Sequence, residues 1–212
     1  MADFAHLTAA DARKKPWRNG RGVTEEIAIG PEGASFEAGD FDWRVSRAVV
    51  VEAGPFSSFE GFDRVLVVTE GEGLVLTHGA DTPPVVVRPF APYAFRGEGS
   101  VSATLVGGPV RDFNVMTRRS RCRAELDVLH LRGDRTGATF ATGDALIYVA
   151  SGVVTVREGG GAPTWTLRPG ESLLARGIDG PRAFEFEGGG ASVLIGRFHA
   201  APPAFERNGR TI

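Results

Sequence analysis

Residues 54–73 read GPFSSFEGFDRVLVVTEGEG, an apolar run of strand-forming residues between two glycine-containing turns. Gly54 and Pro55 mark the turn before the run, and the Gly-Glu-Gly of residues 71–73 marks the turn after it. Short runs of the same kind follow one another from residue 25 to residue 198, and no long segment shows helical periodicity. Short strands at this spacing are typical of a β-sandwich or β-barrel, so the sequence predicts an all-β fold.

The composition agrees with many short strands and limits the classes of function. Glycine accounts for 29 of the 212 residues, which suits a chain with many tight turns. The single cysteine, Cys122, cannot form an internal disulfide or a cysteine-based zinc site. A net charge of -2 argues against a basic nucleic-acid-binding protein. Because no apolar run reaches the length of a membrane span and the N-terminus lacks a signal-peptide core, we expect a cytoplasmic protein without a membrane or nucleic-acid partner.

The N-terminal segment contains the one predicted helix. Thr8 is suited to cap residues 9–15, Asp11 follows three residues later as a weak capping partner, and Pro16 ends the segment. Two helical turns are too short to be stable alone, so this helix would add little to the fold.

The chain also contains a weak internal repeat. The matching segments are residues 66–68 with 146–148 and Arg88-Pro89 with Arg168-Pro169, both at an offset of 80, and residues 104–107 with 193–196 at an offset of 89. A repeat with one longer loop would give this pattern. We therefore expect a single domain over residues 1–212, built from two similar β units at 20–118 and 123–200 that the arginine-rich residues 118–123 join.

Two segments resemble the cupin barrels. Residues 167–173, LRPGESL, are similar to the cupin proline-glycine turn, and residues 54–73 fit the spacing of the first cupin motif, G-x5-H-x-H-x3,4-E-x6-G. The metal-ligand positions of that motif hold Glu60, Phe62, Leu66 and, for the last histidine, Ala94, and in the second unit Phe140, Thr142 and Leu146. A divalent metal needs several nitrogen or oxygen donors at one point. The four histidines (His6, His78, His130 and His199) are too far apart to supply them. The resemblance thus implies a bicupin-like double β-sandwich or barrel of the jelly-roll type, metal-free and without a cofactor.

Two predicted strands carry a polar face opposite an apolar one. The polar faces hold Arg44, Ser46 and Ala48 in residues 43–51 and Asp112, Asn114 and Met116 in residues 112–117, while Arg47 interrupts the apolar face of the first strand. Such a face either meets solvent or lines a pocket inside the barrel. A methionine in the row favours the pocket, because methionine suits a partly apolar wall.

Two loops add further candidates. Phe56, Phe59 and Phe62 make residues 54–64 rich in aromatic rings for a turn, and we expect these rings to plug the end of the barrel rather than contact a ligand. Residues 16–25 form a glycine-punctuated loop with neither the lysine of a phosphate-binding loop nor a following helix. This loop either covers the barrel mouth or contributes to a site there.

Four segments, in this order, resemble the HutD/Ves family: PWRNGRGVTEEIA at 16–28, DWRVSRA at 42–48, GPFSSFEGFDR at 54–64 and DFNVM at 112–116. The resemblance covers residues 7–118 in clear motifs and the remainder more loosely. It implies a bicupin-like β protein, encoded in many bacteria beside genes for histidine degradation, that binds a small molecule and modulates histidine utilisation. It implies no settled enzymatic activity, and the Ves branch of the family is tied to stress response.

The residues and the resemblance together predict a site for a small anionic metabolite, with urocanate, formiminoglutamate and formylglutamate as the candidates that the resemblance implies. Arginines would hold a carboxylate, amide and hydroxyl groups would donate or accept neutral hydrogen bonds, and Asp112 would orient an arginine or accept an N–H group. The expected ligand-binding residues are Trp17, Asn19, Glu25, Arg44, Ser46, Ser57, Arg64, Asp112, Asn114 and Met116.

Two other classes of function stay open. One is a cofactor-free enzyme, an isomerase or hydrolase acting on a small polar acid, with Asp112 or Glu25 as its base. The other is a stress-related interaction protein, which would show an exposed apolar face and no pocket. We assign no catalytic residue, and the sequence leaves the oligomeric state open.

Overall fold

The computed structural model describes residues 2–17, 22–159 and 163–202, and every helix or strand assigned within these ranges is a β-strand. The all-β class is therefore confirmed. The strands pair antiparallel in four sheets, which form two sandwiches in tandem, each with one larger and one four-stranded sheet. Among the described residues there is no helix long and apolar enough to cross a membrane.

The first sandwich is built from residues 13–118. Its six-stranded sheet contains, in spatial order, β2 (Arg13–Pro16), β3 (Val23–Gly30), β4 (Trp43–Val50), β11 (Val110–Arg118), β6 (Phe62–Glu70) and β9 (Tyr93–Arg96). The facing sheet contains β5 (Gly54–Pro55), β10 (Val101–Leu105), β7 (Leu74–His78) and β8 (Val85–Val87).

The second sandwich follows the same plan. Its five-stranded sheet contains, in spatial order, β1 (Asp3–Leu7), β17 (Ser172–Ile178), β14 (Gly143–Ser151), β19 (Gly189–Ala200) and β12 (Cys122–Arg132). The facing sheet contains β13 (Thr136–Phe140), β18 (Arg182–Glu187), β15 (Val154–Glu158) and β16 (Thr164–Leu167). The N-terminal strand β1 thus joins the second sandwich, whereas β2, which follows it in the chain, joins the first.

The predicted helix at residues 9–15 is wrong. The amide and the hydroxyl of Thr8 both donate to the carboxylate of Asp11, at 2.7 and 2.6 Å, and close a tight turn instead of capping a helix. The following residues form β2, which pairs with β3 from Arg13 opposite Glu26 to Pro16 opposite Val23. Pairing with the next strand in the chain satisfies the backbone hydrogen-bonding groups that a marginal two-turn helix would otherwise satisfy within itself.

The two larger sheets pack back to back. Between them lies an apolar layer in which Trp43 stacks on Phe198 with ring centroids 4.2 Å apart, and Phe113 contacts Tyr148 at 4.9 Å. Burying one apolar face of each large sheet against the other fixes which face of β4, β6 and β11 remains for the interior of the first sandwich.

Arg47, which interrupts the apolar face of β4, links the two sandwiches. Its Nε donates to Glu25 at 2.5 Å, and its Nη1 contacts the hydroxyl of Tyr148 at 3.3 Å and the carbonyl of Gly170 at 3.5 Å. Gly170 has a φ of 86°, and a Cβ there would lie 2.6 Å from Nη1 of Arg47. Glycine in the proline-glycine turn therefore permits both the turn and the approach of the arginine.

The two sandwiches share a strand order, and the sequence alignment between them shifts in part. β6 and β14 each end at a glycine with positive φ, Gly71 and Gly152, which sets the offset of these strands at 81 rather than 80. The match of residues 104–107 with 193–196 is wrong, because the first segment includes the end of β10 in a small sheet whereas the second lies in β19 of a large sheet. In its sheet β19 occupies the place that β11 occupies in the first sandwich.

Candidate functional site

A cavity of about 670 Å³ opens in the first sandwich, between its two sheets and beneath the segments that connect them. Its back wall is the polar face of β4, β11 and β6. Antiparallel pairing aligns Arg44, Met116 and Arg64 in one row across these strands and Ser46 with Asn114 in the next. Because side chains alternate strictly along a strand, all five side chains point to the same side of the sheet, away from the layer between the sandwiches.

Arg64 lies at the centre of this wall and is only 6% exposed. Its Nε and Nη2 both donate to Oδ1 of Asn114, at 3.1 and 2.8 Å, and its Nη1 donates to the carbonyl of Ser57 at 3.5 Å. All of these acceptors are neutral. No carboxylate oxygen lies within 4 Å of the Arg64 guanidinium in the described ranges, so this buried cation has no direct counterion among those residues.

Aromatic rings surround the same guanidinium. Its Cζ lies 5.0, 5.8 and 5.1 Å from the ring centroids of Phe56, Phe59 and Phe95. Ring faces stabilise a cation without neutralising it. Burial, assisted by the charge of Arg44 and opposed by Asp112, lowers the pKa of Arg64 to about 10, which leaves it charged at neutral pH.

Arg44 is held differently. Its Nε donates to Oε2 of Glu26 at 2.7 Å, and both side chains are buried. Lys15 and Arg13 approach the same carboxylate, each at 3.9 Å. The ring of Phe36 lies 4.3 Å from Cζ of Arg44. Arg44 thus has a counterion of its own, and its remaining N–H groups are the ones that a ligand could meet.

Asp112 is a buried carboxylate in the wall of the cavity. Its Oδ1 accepts a hydrogen bond from the amide of Ala48 at 3.2 Å. Burial raises the pKa of Asp112 to about 6, although the charge of Arg64 and the Ala48 amide both act to lower it. This carboxyl group is therefore half protonated near pH 6 and mostly ionised at neutral pH.

The comparisons with known proteins identify the family. The model of the family described as HutD matches residues 9–194. The chain belongs to the HutD family. The family is associated with the histidine-utilisation locus: a 36% identical relative over 162 residues is described as an uncharacterized 21.2 kDa protein in the hutC 3′ region of Pseudomonas putida, with 76% of this chain and 80% of the relative covered.

Two further HutD-family members extend the comparison. Protein Ves of Citrobacter koseri is 39% identical over 146 residues, which cover 67% of this chain and 72% of that protein. A structure of HutD from Pseudomonas fluorescens SBW25, described as a formate condition, is 30% identical and superposes with a TM-score of 0.78 over 94% of this chain and all of the other. The fold and the family therefore agree with the bicupin-like expectation.

Most of the residues expected at the site line the cavity of the first sandwich. The lining includes Trp17, Arg44, Ser46, Ser57, Arg64, Asp112, Asn114 and Met116. Asn19 lies outside the described residues. The structure corrects the expectation for Glu25, which is on the opposite face of β3 and pairs with Arg47 rather than lining the cavity.

The sequence did not predict three residues at the site, namely Glu26, Lys15 and Phe36. The phenylalanines that were expected to plug the end of the barrel divide into two groups. Phe56 and Phe59 line the cavity beside Arg64, whereas Phe62 packs against Phe41 and Met116 away from it. Alternation on β3 places Glu26 opposite to Glu25 and is a signal that was present in the sequence. No sequence signal gives the position of Phe36, which comes from an irregular segment between β3 and β4.

The positions that correspond to cupin metal ligands do not form a metal site in this chain. Glu60 is exposed, and Phe62 and Leu66 are buried apolar residues. Among the described residues no group of three or more His, Cys, Asp or Glu side chains could hold a metal ion. The four histidines are dispersed, and each contacts a protein group, namely Glu171 for His6, Tyr93 for His78, Ser192 for His130 and the Thr142 carbonyl for His199.

Proposed function

We propose that this HutD-family protein binds a small anionic metabolite in the cavity of its first sandwich and thereby modulates histidine utilisation. The observation that supports this most strongly is Arg64, a buried cation that faces the cavity and whose hydrogen-bond acceptors among the described residues are all neutral. A buried charge without a partner is costly. A carboxylate ligand would supply the counterion and could accept two charge-assisted hydrogen bonds from an arginine.

The rest of the lining suits a small ligand with one acidic end and one planar or polar end. Ser46 and Asn114 provide neutral hydrogen-bonding groups on the wall, and Met116 provides an apolar floor. Trp17 lies at the rim, where its Nε1 donates to the hydroxyl of Thr24 at 2.9 Å. This hydrogen bond fixes the ring in a position from which it could cover a ligand. Urocanate, formiminoglutamate and formylglutamate all carry a carboxylate and a second polar group, and they are the candidates that the family association suggests.

A small molecule is a better match to this chain than a nucleic acid or a membrane. Three of the four arginines between the two sandwiches contact groups of the protein. Arg118 donates to the carbonyls of Phe41 and Gly39, Arg119 pairs with Asp63 and Glu98, and Arg121 contacts Asp42. We therefore propose a soluble metabolite as the partner of the cavity and assign no partner to the arginine-rich segment.

The test is a thermal-shift screen of the purified protein with urocanate, formiminoglutamate and formylglutamate. A ligand of the native state raises the melting temperature by an amount that grows with its concentration relative to Kd. We expect at least one of these acids to stabilise the wild type and to lose that effect in Arg64→Met, which keeps a long unbranched side chain without the charge. Arg111→Met, at a partly exposed pair with Glu70, is the matched control. No shift with any of the acids would contradict the proposal.

The regulatory part has its own readout. A host strain carrying the Arg64→Met protein should grow on histidine like a strain without the protein, whereas Arg111→Met should behave like the wild type. Equal behaviour of the Arg64→Met strain and the wild type would separate the cavity from histidine utilisation.

One observation favours a second candidate function, a cofactor-free enzyme. Asp112 faces the cavity, and its raised pKa, about 6, suits a general base near neutral pH. Incubation of each acid with the protein, followed by NMR of the small molecule, decides between binding and turnover. Turnover that disappears in Asp112→Asn would support the enzyme, and an unchanged ligand after long incubation would support binding alone.

A further inference from the structure

Arg64 and Asp112 share the cavity as an incomplete pair. They lie on the neighbouring strands β6 and β11, and the charge of each shifts the pKa of the other. No ion pair within 4 Å joins them in the described structure. Asn114 occupies the direct hydrogen-bonding position on Arg64 instead. Oδ1 of Asp112 receives the Ala48 amide, and Oδ2 has no hydrogen-bond partner among the described residues. The carboxylate is therefore a distant counterion of Arg64.

We propose that Asp112 couples anion binding to proton uptake, so that the cavity accepts a carboxylate ligand most strongly when Asp112 is protonated. This inference rests on the proposed function, because it concerns the same ligand and the same arginine. One ligand carboxylate and one proton from solvent enter together, the proton binds Oδ2 of Asp112, and the total charge of the cavity does not change.

The physical reason is competition for one cation. With Asp112 ionised, the field of Arg64 is partly neutralised, and a second carboxylate in the same low-dielectric cavity meets a like charge. With Asp112 protonated, Arg64 is fully available and the new O–H group can donate to the ligand. In the empty cavity the pKa of Asp112 is about 6, and a bound anion moves this pKa further upward. The coupling therefore operates at and above pH 6.

Other charged groups face the cavity, and the test must separate them from Asp112. Arg44 of β4 is already paired with Glu26 of β3. Lys15 of β2 is paired with Glu37 at 2.5 Å, and Glu52 lies at the rim after β4. From β9 the ring of Phe95 separates His78 of β7 from Arg64. A substitution at Asp112 alone, which leaves all of these groups in place, isolates its proton.

The experiment is a calorimetric titration with formylglutamate from pH 5.5 to pH 8.5. The carboxyl groups of this probe are ionised throughout that range, so any pH dependence belongs to the protein. We expect the wild-type Kd to be lowest at pH 5.5 and to rise by up to about tenfold per pH unit above pH 6. Asp112→Asn, which retains an acceptor for the Ala48 amide, should bind at pH 8 about as tightly as the wild type does at pH 5.5. Asp127→Asn, on the exposed pair with Arg197, is the matched control and should keep the wild-type profile.

A second measurement uses the wild type only and does not depend on any variant. The binding enthalpy at pH 7 is measured in phosphate and in Tris, buffers with very different ionisation enthalpies, and the difference gives the number of protons taken up. We expect uptake of a fraction of a proton up to one proton per ligand. Binding without uptake, or the same pH profile in Asp112→Asn as in the wild type, would overturn the coupling while leaving the proposed function intact. If none of formylglutamate, urocanate and formiminoglutamate binds the wild type or Asp112→Asn at any of these pH values, the proposed function fails and the coupling fails with it.

Discussion

The interiors of the two sandwiches can be compared position by position, because β6 and β11 of the first correspond to β14 and β19 of the second at an offset of 81. At the positions that point into the sandwich, the residues that correspond in the two units are Arg64 and Ala145, Asn114 and Ile195, Asp112 and Val193, and Met116 and Arg197. Three inward polar residues at the centre of the first sandwich are thus replaced by alanine, isoleucine and valine in the second.

The second interior is filled where the first is open. The rings of Phe140, Phe184 and Phe186 are buried between its sheets, and Phe140 and Phe184 pack with centroids 4.7 Å apart. The cavity that the described residues form in this sandwich is lined by residues 158–159 and 179–183 and not by these rings. The same strand plan therefore folds around an apolar core, which shows that the arginine, asparagine and aspartate of the first sandwich are not required by the fold.

Burying those polar residues lowers the stability of the first sandwich. The pKa of Asp112 is raised and that of Arg64 is lowered, and in each case burial is the largest cause. Both shifts mean that the charged form is less favourable in the folded protein than in the unfolded chain. These buried polar residues lower the stability of one of two otherwise similar sandwiches, which agrees with a role in binding rather than in folding.

The largest expected effect on stability comes from placing a carboxylate in the second sandwich, at the position that corresponds to Asp112. Val193→Asp places a carboxylate among apolar side chains, since Val193 is fully buried in the apolar core. We expect a loss of about 3–5 kcal/mol at pH 8, measured by urea denaturation, and a smaller loss at low pH where the new group is protonated. Val193→Ala separates the packing loss from the charge. A variant as stable as the wild type at pH 8 would show that the two interiors are not as different as described.

The reciprocal change should stabilise the first sandwich. The pKa of Asp112 rises on folding from 3.8 to about 6, so the penalty is complete above pH 6, decreases as pH falls through 6 and vanishes below 3.8. A difference of roughly two pKa units corresponds to about 3 kcal/mol. Asp112→Asn is therefore expected to be more stable than the wild type by up to about 3 kcal/mol at pH 8 and by progressively less toward pH 4. Equal urea midpoints of the two proteins at pH 8 would contradict this.

The two arginines of the cavity should differ in their effect on stability. Arg44→Ala leaves the buried carboxylate of Glu26 with Lys15 and Arg13 at 3.9 Å as its remaining cations, so we expect a loss of about 2–3 kcal/mol. Arg64→Met removes a cation that has no direct counterion, and its stability should stay within about 1 kcal/mol of the wild type. Thermal and urea unfolding of the two variants check this, and a larger loss in Arg64→Met than in Arg44→Ala would reverse the assignment of roles.

A smaller effect concerns a polar atom in the larger sheet of the second sandwich. The hydroxyl of Ser172 is buried and has no hydrogen-bond partner among the described residues. Ser172→Ala removes the unsatisfied group and should raise stability by about 1 kcal/mol. Ser46→Ala, in the wall of the cavity, is the comparison, and we expect it to change stability by less. A loss of stability in Ser172→Ala would mean that this hydroxyl is bonded in solution.

The parts of the site that the sequence could predict are those set by strand alternation. Side chains two apart share a face whatever the rest of the chain does, so strand periodicity alone assigns Arg44 and Ser46 to one polar face and Asp112, Asn114 and Met116 to another. The all-β class could be predicted for a similar reason, because turn-forming glycines and prolines act locally.

The predictions that failed depend on strand pairing and packing that the local residue pattern does not specify. The segment at 9–15 has a helix-like sequence, yet β3 recruits it as a strand, and local propensity is too weak to prevent this. Alternation places Glu25 and Glu26 on opposite faces of β3, but a register shift between Glu26 and Ala28 hides from the sequence which of the two faces Arg44. The rings around Arg64 come from an irregular loop and a distant strand, and only the folded chain shows that they meet.

The central claim is that Arg64 holds the carboxylate of a ligand in the first sandwich. Calorimetric titration of formylglutamate at pH 6 into the wild type, Arg64→Met and Arg111→Met tests it most directly. Loss of a charge-assisted hydrogen bond of about 1.5–3 kcal/mol corresponds to an affinity about ten- to a hundredfold weaker. The account predicts this loss in Arg64→Met, with Arg111→Met binding as the wild type does. Wild-type affinity in a folded Arg64→Met protein would contradict it.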